Sequence, residues 1–297
     1  MKRLAAIMAF LLVLTSVLSA AQAEAGQFKI KVSVDLVNVN FSAMDSKGRL
    51  IPGLTAKDFA VEEDGEVQNV TLFAREQELP LTLAMLIDVS PSVAPVFAEE
   101  KVTASSFLGS ILGRRDLALV IAFNRWVTLT QDYTEDLPSL TRAIQSLKVS
   151  GSGTSLYDAV YLAAEEKLSL EAGRKAIVLI SDGEDTTSQY NASKAMIAVH
   201  KSNAVIYTIS NGGNSGTLRK LAEETGGAFF RIRERGDFEK VFNQIALELR
   251  TQYSLAYHST NSVRDGSFRR IKIIPKDSNI SVRARRGYYA PNDTDKR

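Results

Sequence analysis

The hydrophobic pattern divides the chain into three parts, and the middle part is the most regular. From Leu81 onward, short apolar runs alternate with stretches of helical periodicity. This alternation predicts a mostly parallel sheet covered by helices on both faces. The predicted strands are LTLAMLI (81–87), LALVIAF (117–123), WVTLT (126–130, an antiparallel edge), AIVLI (176–180), AVIYTIS (204–210) and AFFRI (228–232). The predicted helices cover about 95–112, 136–148, 155–169, 191–202, 216–225 and 237–251.

Both ends of the chain have a different pattern, which predicts short β-strands. Near the start, strands at 59–63 and 66–73 flank Asp64-Gly65, a strong hairpin signal. After Gln252, the predicted strands are YSLAY (253–257), FRRIKII (268–274) and ISVRARR (280–286). We therefore predict one small β-sandwich-like domain built from both ends, 28–78 plus 253–291, with a doubly wound α/β domain, 80–252, inserted into it.

The first 23 residues are typical of an export signal. Lys2 and Arg3 form a charged start, residues 4–18 are apolar, and Ala21-Gln22-Ala23 is a small-x-small cleavage site. The apolar stretch is short for a bilayer span of roughly 20 residues, although an uncleaved anchor is the alternative. Cleavage predicts a periplasmic or extracellular protein with no transmembrane span in the mature chain.

Charge and cysteine content argue against two classes of function. The signal contains two basic and no acidic residues, so the mature chain has 36 − 2 = 34 basic and 34 acidic residues. A neutral chain lacks the broad electrostatic footprint that binds nucleic acid, and we expect no such partner. The sequence contains no cysteine, which excludes disulfides and thiol chemistry.

Three polar stretches, far apart in the sequence, contain the candidate functional residues. Asp88, Ser90 and Ser92 follow the first predicted strand of the middle part, and Asp182 ends the fourth. Thr154 lies in a loop rich in Gly and Ser. Because open parallel sheets bind ligands at the carboxyl ends of their strands, we expect these side chains to meet. Carboxylates mixed with hydroxyls, without Cys or His nearby, are typical ligands of a hard divalent cation such as Mg²⁺.

This ligand set is expected to leave the ion open to a partner. Two carboxylates and three hydroxyls neither fill nor neutralise the octahedral shell of Mg²⁺ well, so a position remains for an external carboxylate.

Taken singly, the same residues suit ordinary structural roles. Short polar residues after a strand are favoured as helix N-caps, and Asp182-Gly183 suits a turn. The combination of all three stretches favours the metal site.

The order Asp88-x-Ser90-x-Ser92, Thr154, Asp182 on an alternating α/β pattern resembles the metal-ion-dependent adhesion site (MIDAS) of von Willebrand factor A domains. The resemblance implies that the serines and the threonine ligate the ion, and that the aspartates bind it directly or through water. It also implies Mg²⁺, or Mn²⁺ or Ca²⁺, as the cofactor. The implied partner is a protein that presents an Asp or Glu to complete the shell.

The resemblance covers roughly 80–250 and implies a Rossmann-like fold for this part. With the flanking segments 52–59 and 282–291, the whole mature chain resembles the exported bacterial proteins called VWFA-related domain proteins. One departure is Pro91, where many members carry Gly. Proline biases Ser90 away from the α region of backbone conformation, but both serine ligands are still present.

We expect a binding module and not an enzyme, because no base, acid or nucleophile is arranged around the predicted site. One alternative is a structural cell-envelope protein that retains the metal ligands without using them. Another is a metal-dependent hydrolase with Asp88 as a phosphoryl acceptor, but the enzymes comparable to it need a second acid where this chain has Ser90.

Other polar and aromatic residues are interpreted as structural. Asp158 is expected to favour the positive end of its own helix, and His200 to have a plain structural role. Trp126 is expected to pack on an edge strand. Arg283 and Arg285 alternate with apolar residues, which predicts a solvated strand face.

Overall fold

A computed structural model gives the fold of residues 36–75, 79–213, 215–234 and 236–292. These residues belong to one compact unit that begins at Leu36. The predicted export signal, residues 1–23, lies outside the described residues. Within the described ranges, no helix is both long and apolar enough to cross a membrane.

The strands are numbered in chain order. They are β1 Leu36–Met44, β2 Phe59–Glu63, β3 Glu66–Gln68, β4 Val70–Arg75, β5 Leu81–Asp88, β6 Leu117–Phe123, β7 Val127–Thr134, β8 Arg174–Ser181, β9 Val205–Ser210, β10 Phe229–Arg231, β11 Tyr253–His258, β12 Phe268–Pro275, β13 Ser281–Ala284 and β14 Gly287–Tyr289. The α-helices are α1 Phe97–Ile111, α2 Leu137–Ser146, α3 Leu156–Tyr161, α4 Ala192–Ser202, α5 Ser215–Thr225 and α6 Asp237–Thr251.

The central sheet has the order β10-β9-β8-β5-β6-β7. Only its edge strand β7 is antiparallel to its neighbour, as predicted for 126–130. All eight residues of β5 are buried, as expected for a strand covered on both faces. The chain adds β6 and β7 on one side of β5 and then β8, β9 and β10 on the other. The carboxyl ends of β5 and β8 therefore flank a topological switch point, where open α/β sheets bind ligands.

Helices cover both faces of this sheet. On one face, Leu83 and Met85 of β5 share a hydrophobic core with α1, α2 and α6. On the other, Ala84 and Leu86 share a core with α3, α4 and α5. The single helix predicted over 155–169 is an α-helix only as far as the end of α3; a π-helical turn (Leu162–Lys167) and a 3-10 turn (Leu168–Leu170) follow.

Two further antiparallel sheets combine strands from both chain ends. Their orders are β13-β1-β11-β4 and β14-β12-β2-β3. In their core, the ring centroid of Phe41 lies 5.0 Å from that of Phe59 and 5.4 Å from that of Tyr253. The predicted single strand at 66–73 is wrong in one respect: it is interrupted at Asn69, and β3 and β4 belong to different sheets.

The predicted fold class is confirmed: a doubly wound, mostly parallel sheet accompanies antiparallel sheets from both ends of the chain. The domain boundaries, 28–78 plus 253–291 and 80–252, stay a prediction. The described residues on both sides of these boundaries form one compact unit.

His200 gives the fold a predictable pH dependence. The side chain is buried at the end of α4, against Phe268 and Tyr289. Burial, and then the positive charge of Arg285, lower the pKa of His200 from 6.5 to about 4. The unfolded state binds the proton more tightly than the folded state. The stabilisation that comes from the neutral His200 is therefore complete above pH 6.5 and is lost as the pH falls towards 4.

We expect the His200 effect to reach roughly 3 kcal/mol, at about 1.36 kcal/mol per pKa unit. Urea unfolding of the wild type and of His200→Gln, measured at steps between about pH 7 and pH 4, tests this. The free energy of unfolding should fall more steeply with acid in the wild type. Parallel curves for the two proteins would show that the imidazole is not held neutral.

Candidate metal centre

Asp88 is the last residue of β5, and its carboxylate is fully buried. Oδ1 accepts a hydrogen bond from the Ser90 N–H at 2.8 Å, and Oδ2 accepts one from the Ser181 hydroxyl at 2.7 Å. Burial raises the pKa of the Asp88 carboxyl, the bonds from Ser90 and Ser181 oppose this rise, and the negative charge of Asp182 adds to it. The protein alone therefore stabilises the anionic form of Asp88 only in part.

Ser90 and Ser92 place two hydroxyls side by side in the loop after β5. Their Oγ atoms are 3.0 Å apart, with Ser90 buried and Ser92 exposed. Ser90 is extended (φ −68°, ψ 160°), as predicted for a residue before proline, and Pro91 begins a 3-10 turn. Neighbouring oxygens around Mg²⁺, each about 2.0–2.1 Å from the ion, lie about 2.9 Å apart. The spacing of the two hydroxyls fits adjacent positions of such a shell.

Thr154 is buried in the loop between α2 and α3, and its backbone is fixed to the loop that follows β8. Its N–H donates to Oγ1 of Thr186 at 2.9 Å, and its carbonyl accepts the N–H groups of Thr186 at 2.9 Å and Thr187 at 3.2 Å. The preceding Gly153 has φ +80°, and a Cβ there would lie 2.7 Å from the Thr187 methyl group. These bonds leave the Thr154 hydroxyl as the group that can bind a ligand.

Asp182 directly follows β8 and is nine-tenths buried. Its Oδ1 accepts the N–H of Glu184 at 3.0 Å. Gly213, in the loop after β9, lies so close that a Cβ there would be 2.5 Å from the Asp182 carbonyl oxygen. The loop after β9 therefore holds Asp182 in place.

The structure brings the five predicted ligands into three loops that hydrogen bonds connect. Ser150 N–H donates to the Val89 carbonyl at 2.9 Å, which joins the Thr154 loop to the Asp88 loop. Thr186 joins the Thr154 loop to the Asp182 loop, and Ser181 joins β8 to Asp88. All five residues thus lie at one edge of the sheet. That they bind a metal ion stays a prediction.

The chemistry of this donor set fits a hard divalent cation. It consists entirely of oxygen atoms, two carboxylates and three hydroxyls. The charge of Asp182 acts unfavourably on Asp88, and a dication between their loops would offset that repulsion. Among the residues that the structure describes, no group of three or more His, Cys, Asp or Glu side chains could hold a metal ion.

Two residues of the site are missing from the predictions, Ser181 and Glu100. Ser181 orients Asp88, and its position at the end of an apolar strand is the signal that could have pointed to it. Glu100 is fully buried on α1, where the side chain of Asn211 favours its charged form. Burial, and then the charge of Asp88, raise the pKa of Glu100 well above its usual value. Its helical spacing from Phe97 and Ala104, on the apolar stripe of α1, was an available signal.

One interpretation of a nearby residue is wrong. Trp126 does not pack on the edge strand; it lies in the β6–β7 turn and is 71% exposed. Asp158 lies in the first turn of α3, the position from which it is expected to favour the positive end of that helix. Its carboxylate also accepts the backbone N–H groups of Gln189 at 2.9 Å and Tyr190 at 2.8 Å, and so fixes the segment before α4.

Comparison with known proteins gives a clear family match. The family model of the von Willebrand factor type A domain matches residues 82–244, more than half of the chain. A search of curated protein sequences finds no match. The matched range contains all five candidate ligands.

Solved structures are similar to the chain at low sequence identity. Proximal thread matrix protein 1 from the mussel byssus has a TM-score of 0.52 and 17% identity over 63% of this chain and 51% of its own. BatB from Bacteroides thetaiotaomicron has a TM-score of 0.49 and 17% identity, over 58% of this chain and all of its own. A von Willebrand factor type A protein from Catenulispora acidiphila has a TM-score of 0.48 and 12% identity, over 88% of this chain and 75% of its own. The chain thus spans about half of the byssus protein, and that similarity concerns the fold alone.

Proposed function

The chain belongs to the von Willebrand factor type A domain family, and from this premise we propose that it is an exported module that binds another protein through a metal ion. A divalent cation held by Asp88, Ser90, Ser92, Thr154 and Asp182 bridges to an Asp or Glu of the partner. Mg²⁺ is the expected ion, with Mn²⁺ and Ca²⁺ as alternatives. The expected location is the periplasm or the cell exterior.

The observation that carries this proposal is the pair of serine hydroxyls beside Asp88. Ser90 is buried and Ser92, 3.0 Å away, is exposed, so an ion on both hydroxyls would lie at the protein surface. Ligands from the protein then approach from one side only. The solvent side is left for a carboxylate of the partner, which would complete the octahedral shell that the five protein ligands leave one short.

The surroundings of the site favour binding over catalysis. Both histidines of the sequence lie elsewhere: His200 packs against Phe268, and His258 ends β11. The nearby Asp158 carboxylate is occupied by two backbone N–H groups. Proton transfer at a bound substrate would need a group within hydrogen-bond reach of it.

Affinity capture tests the proposed function. The immobilised mature protein is exposed to cell-envelope extract in Mg²⁺ and, in parallel, in EDTA, with Thr154→Ala as the matched variant. We expect a specific partner to be retained only by the wild type and only in Mg²⁺. A specific partner that remains bound in EDTA, or binds Thr154→Ala equally well, would contradict a metal bridge.

A further inference from the structure

A groove of about 500 Å³ lies beside the candidate metal centre. Its lining includes Trp126, Val127, Tyr161, Leu162, Thr187 and Tyr190. These residues define what we call the Trp126 groove. It lies against α3 and the β6–β7 turn, on the side of the site opposite to the loop after β9.

Hydrogen bonds attach the Trp126 groove directly to the Thr154 loop. Ser155, the neighbour of Thr154, donates its N–H to the Asn124 carbonyl at 2.7 Å and its hydroxyl to the Arg125 carbonyl at 2.9 Å. The Ser155 hydroxyl also lies 2.9 Å from that of Thr187, which lines the groove. The residue next to a predicted metal ligand is therefore bonded to two residues that line the groove, Arg125 and Thr187.

The backbone of Trp126 is held in place, and its side chain is exposed. The backbone N–H donates to Oδ1 of Asn124 at 2.9 Å, and the carbonyl accepts the Asn124 N–H at 3.2 Å. The buried Asn124 is itself fixed to Ser150, and the Arg125 guanidinium lies 5.8 Å from the Trp126 ring centroid. Tryptophan offers a large contact area with few rotatable bonds, and it is enriched among interface hot spots.

Two more aromatic residues line the groove, and they contact each other. The ring centroids of Tyr161 and Tyr190 are 4.1 Å apart, and Nζ of Lys194 lies 4.4 Å from the Tyr190 ring centroid. The Asp158 carboxylate holds the backbone of Tyr190. A groove that is lined by three aromatic side chains suits a bulky apolar side chain.

Three charged side chains line the groove: Arg125, Asp158 and Glu166. The exposed Arg125 adjoins the Thr154 loop, because its carbonyl accepts the Ser155 hydroxyl. The Asp158 carboxylate already accepts two backbone N–H groups, and Glu166 lies in the π-helical turn beyond α3. A partner segment that delivers a carboxylate to the ion therefore brings its neighbouring residue to the Arg125 end of the groove, where an apolar side chain would bury Trp126.

We infer that the Trp126 groove binds a bulky apolar residue next to the Asp or Glu that the partner protein presents to the ion. This inference rests on the proposed function and adds a specificity determinant to it. The metal ion would require an acidic residue in the partner, and the groove would favour a bulky apolar residue beside it. Trp126 is then a specificity residue and not a metal ligand.

The test uses a random peptide library displayed on phage, selected on the mature protein in Mg²⁺. We expect selected peptides to carry Asp or Glu beside a bulky apolar residue. Trp126 is the single tryptophan of the sequence, so its emission should move to shorter wavelength when such a peptide, made synthetically, binds in Mg²⁺. The same peptide in EDTA, or Mg²⁺ alone, should leave the emission unchanged.

Trp126→Ala should bind the selected peptide roughly tenfold or more weakly, while its rise in melting temperature with Mg²⁺ stays that of the wild type. The matched control is Leu72→Ala, which truncates an exposed apolar side chain on β4 and should bind normally. If peptides are selected for an acid alone, and Trp126→Ala binds them as well as the wild type, the groove inference is overturned and the metal bridge stands. If no acidic peptide binds in a Mg²⁺-dependent manner, the proposed function itself fails.

Discussion

We expect Mg²⁺ to raise the melting temperature of the wild-type protein, and Asp88→Ala and Thr154→Ala to abolish that rise. An ion that binds only the native state stabilises it by mass action, by about 2.7 kcal/mol at a free concentration of 100 times the Kd. Each substitution removes one of the five proposed protein ligands, which by themselves leave the shell incomplete. Thermal unfolding of each protein, measured along a Mg²⁺ titration, gives the result directly.

Thr154→Ala is the cleaner of the two variants. Asp88 also accepts bonds from Ser90 and Ser181, so its removal disturbs the fold, whereas the backbone bonds of Thr154 survive the loss of its hydroxyl. Glu184→Ala is the matched control, because Glu184 is exposed two residues beyond Asp182. Its response to Mg²⁺ should equal that of the wild type. A Mg²⁺ response of equal size in every variant would place the ion elsewhere.

Arg269→Met will cause the largest loss of stability outside the metal centre. The side chains of Arg269 and Glu63 are 4% and 2% exposed, with Nη1 and Oε1 3.5 Å apart. The Glu63 carboxylate also accepts the hydroxyls of Tyr257 at 2.8 Å and Tyr288 at 3.0 Å. Removing the cation leaves this carboxylate buried without its charge partner, which costs about 3–5 kcal/mol. Urea unfolding measures the loss.

The double variant Glu63→Gln, Arg269→Met separates charge from packing. Because glutamine carries no charge, we expect the double variant to be more stable than Arg269→Met alone. Arg49→Met, which breaks the exposed pair with Asp45, should unfold at the wild-type urea concentration. A double variant that is less stable than Arg269→Met would show that the bonds to the tyrosines, and not the ion pair, dominate this cluster.

The strands of the central sheet can be predicted because they are buried on both faces and therefore appear in the sequence as continuous apolar runs. The run at 117–123 matches β6, and the helical periodicity at 237–251 matches α6. The interruption at Asn69 is different. The sequence pattern gives no sign of it, yet the strand passes there from one sheet to the other. β3 pairs with its hairpin neighbour β2, whereas β4 pairs with β11, near the other end of the chain, and a local pattern does not show such a distant partner.

Arg285 shows a second limit of local patterns. Alternation places Arg283 and Arg285 on a solvated face, and this prediction is wrong. Arg285 is 92% buried, bonded to the Asn38 carbonyl and to the Asn203 side chain, and Arg283 pairs with the buried Glu248. Alternation distinguishes the two faces of a strand, but only the tertiary fold decides what covers each face.

The candidate site is predictable to the extent that strand ends determine it. Asp88 and Asp182 could be placed at one edge because each follows an apolar run, and Thr154 because its loop is rich in glycine. The exposure of Trp126 and the burial of Glu100 depend on how the β6–β7 turn and α1 pack against other elements. These two residues mark what the structure adds, a preformed groove beside the site and a buried carboxyl whose pKa is raised in part by the charge of Asp88.

The most direct test of the metal centre is a crystal structure of the protein grown with Mn²⁺, with data that record the anomalous scattering of manganese. We predict a peak within about 2.3 Å of the hydroxyl oxygens of Ser90, Ser92 and Thr154. The Asp88 and Asp182 carboxylates should contact it directly or through water. A fully loaded protein whose manganese peak lies away from these five residues would contradict the account.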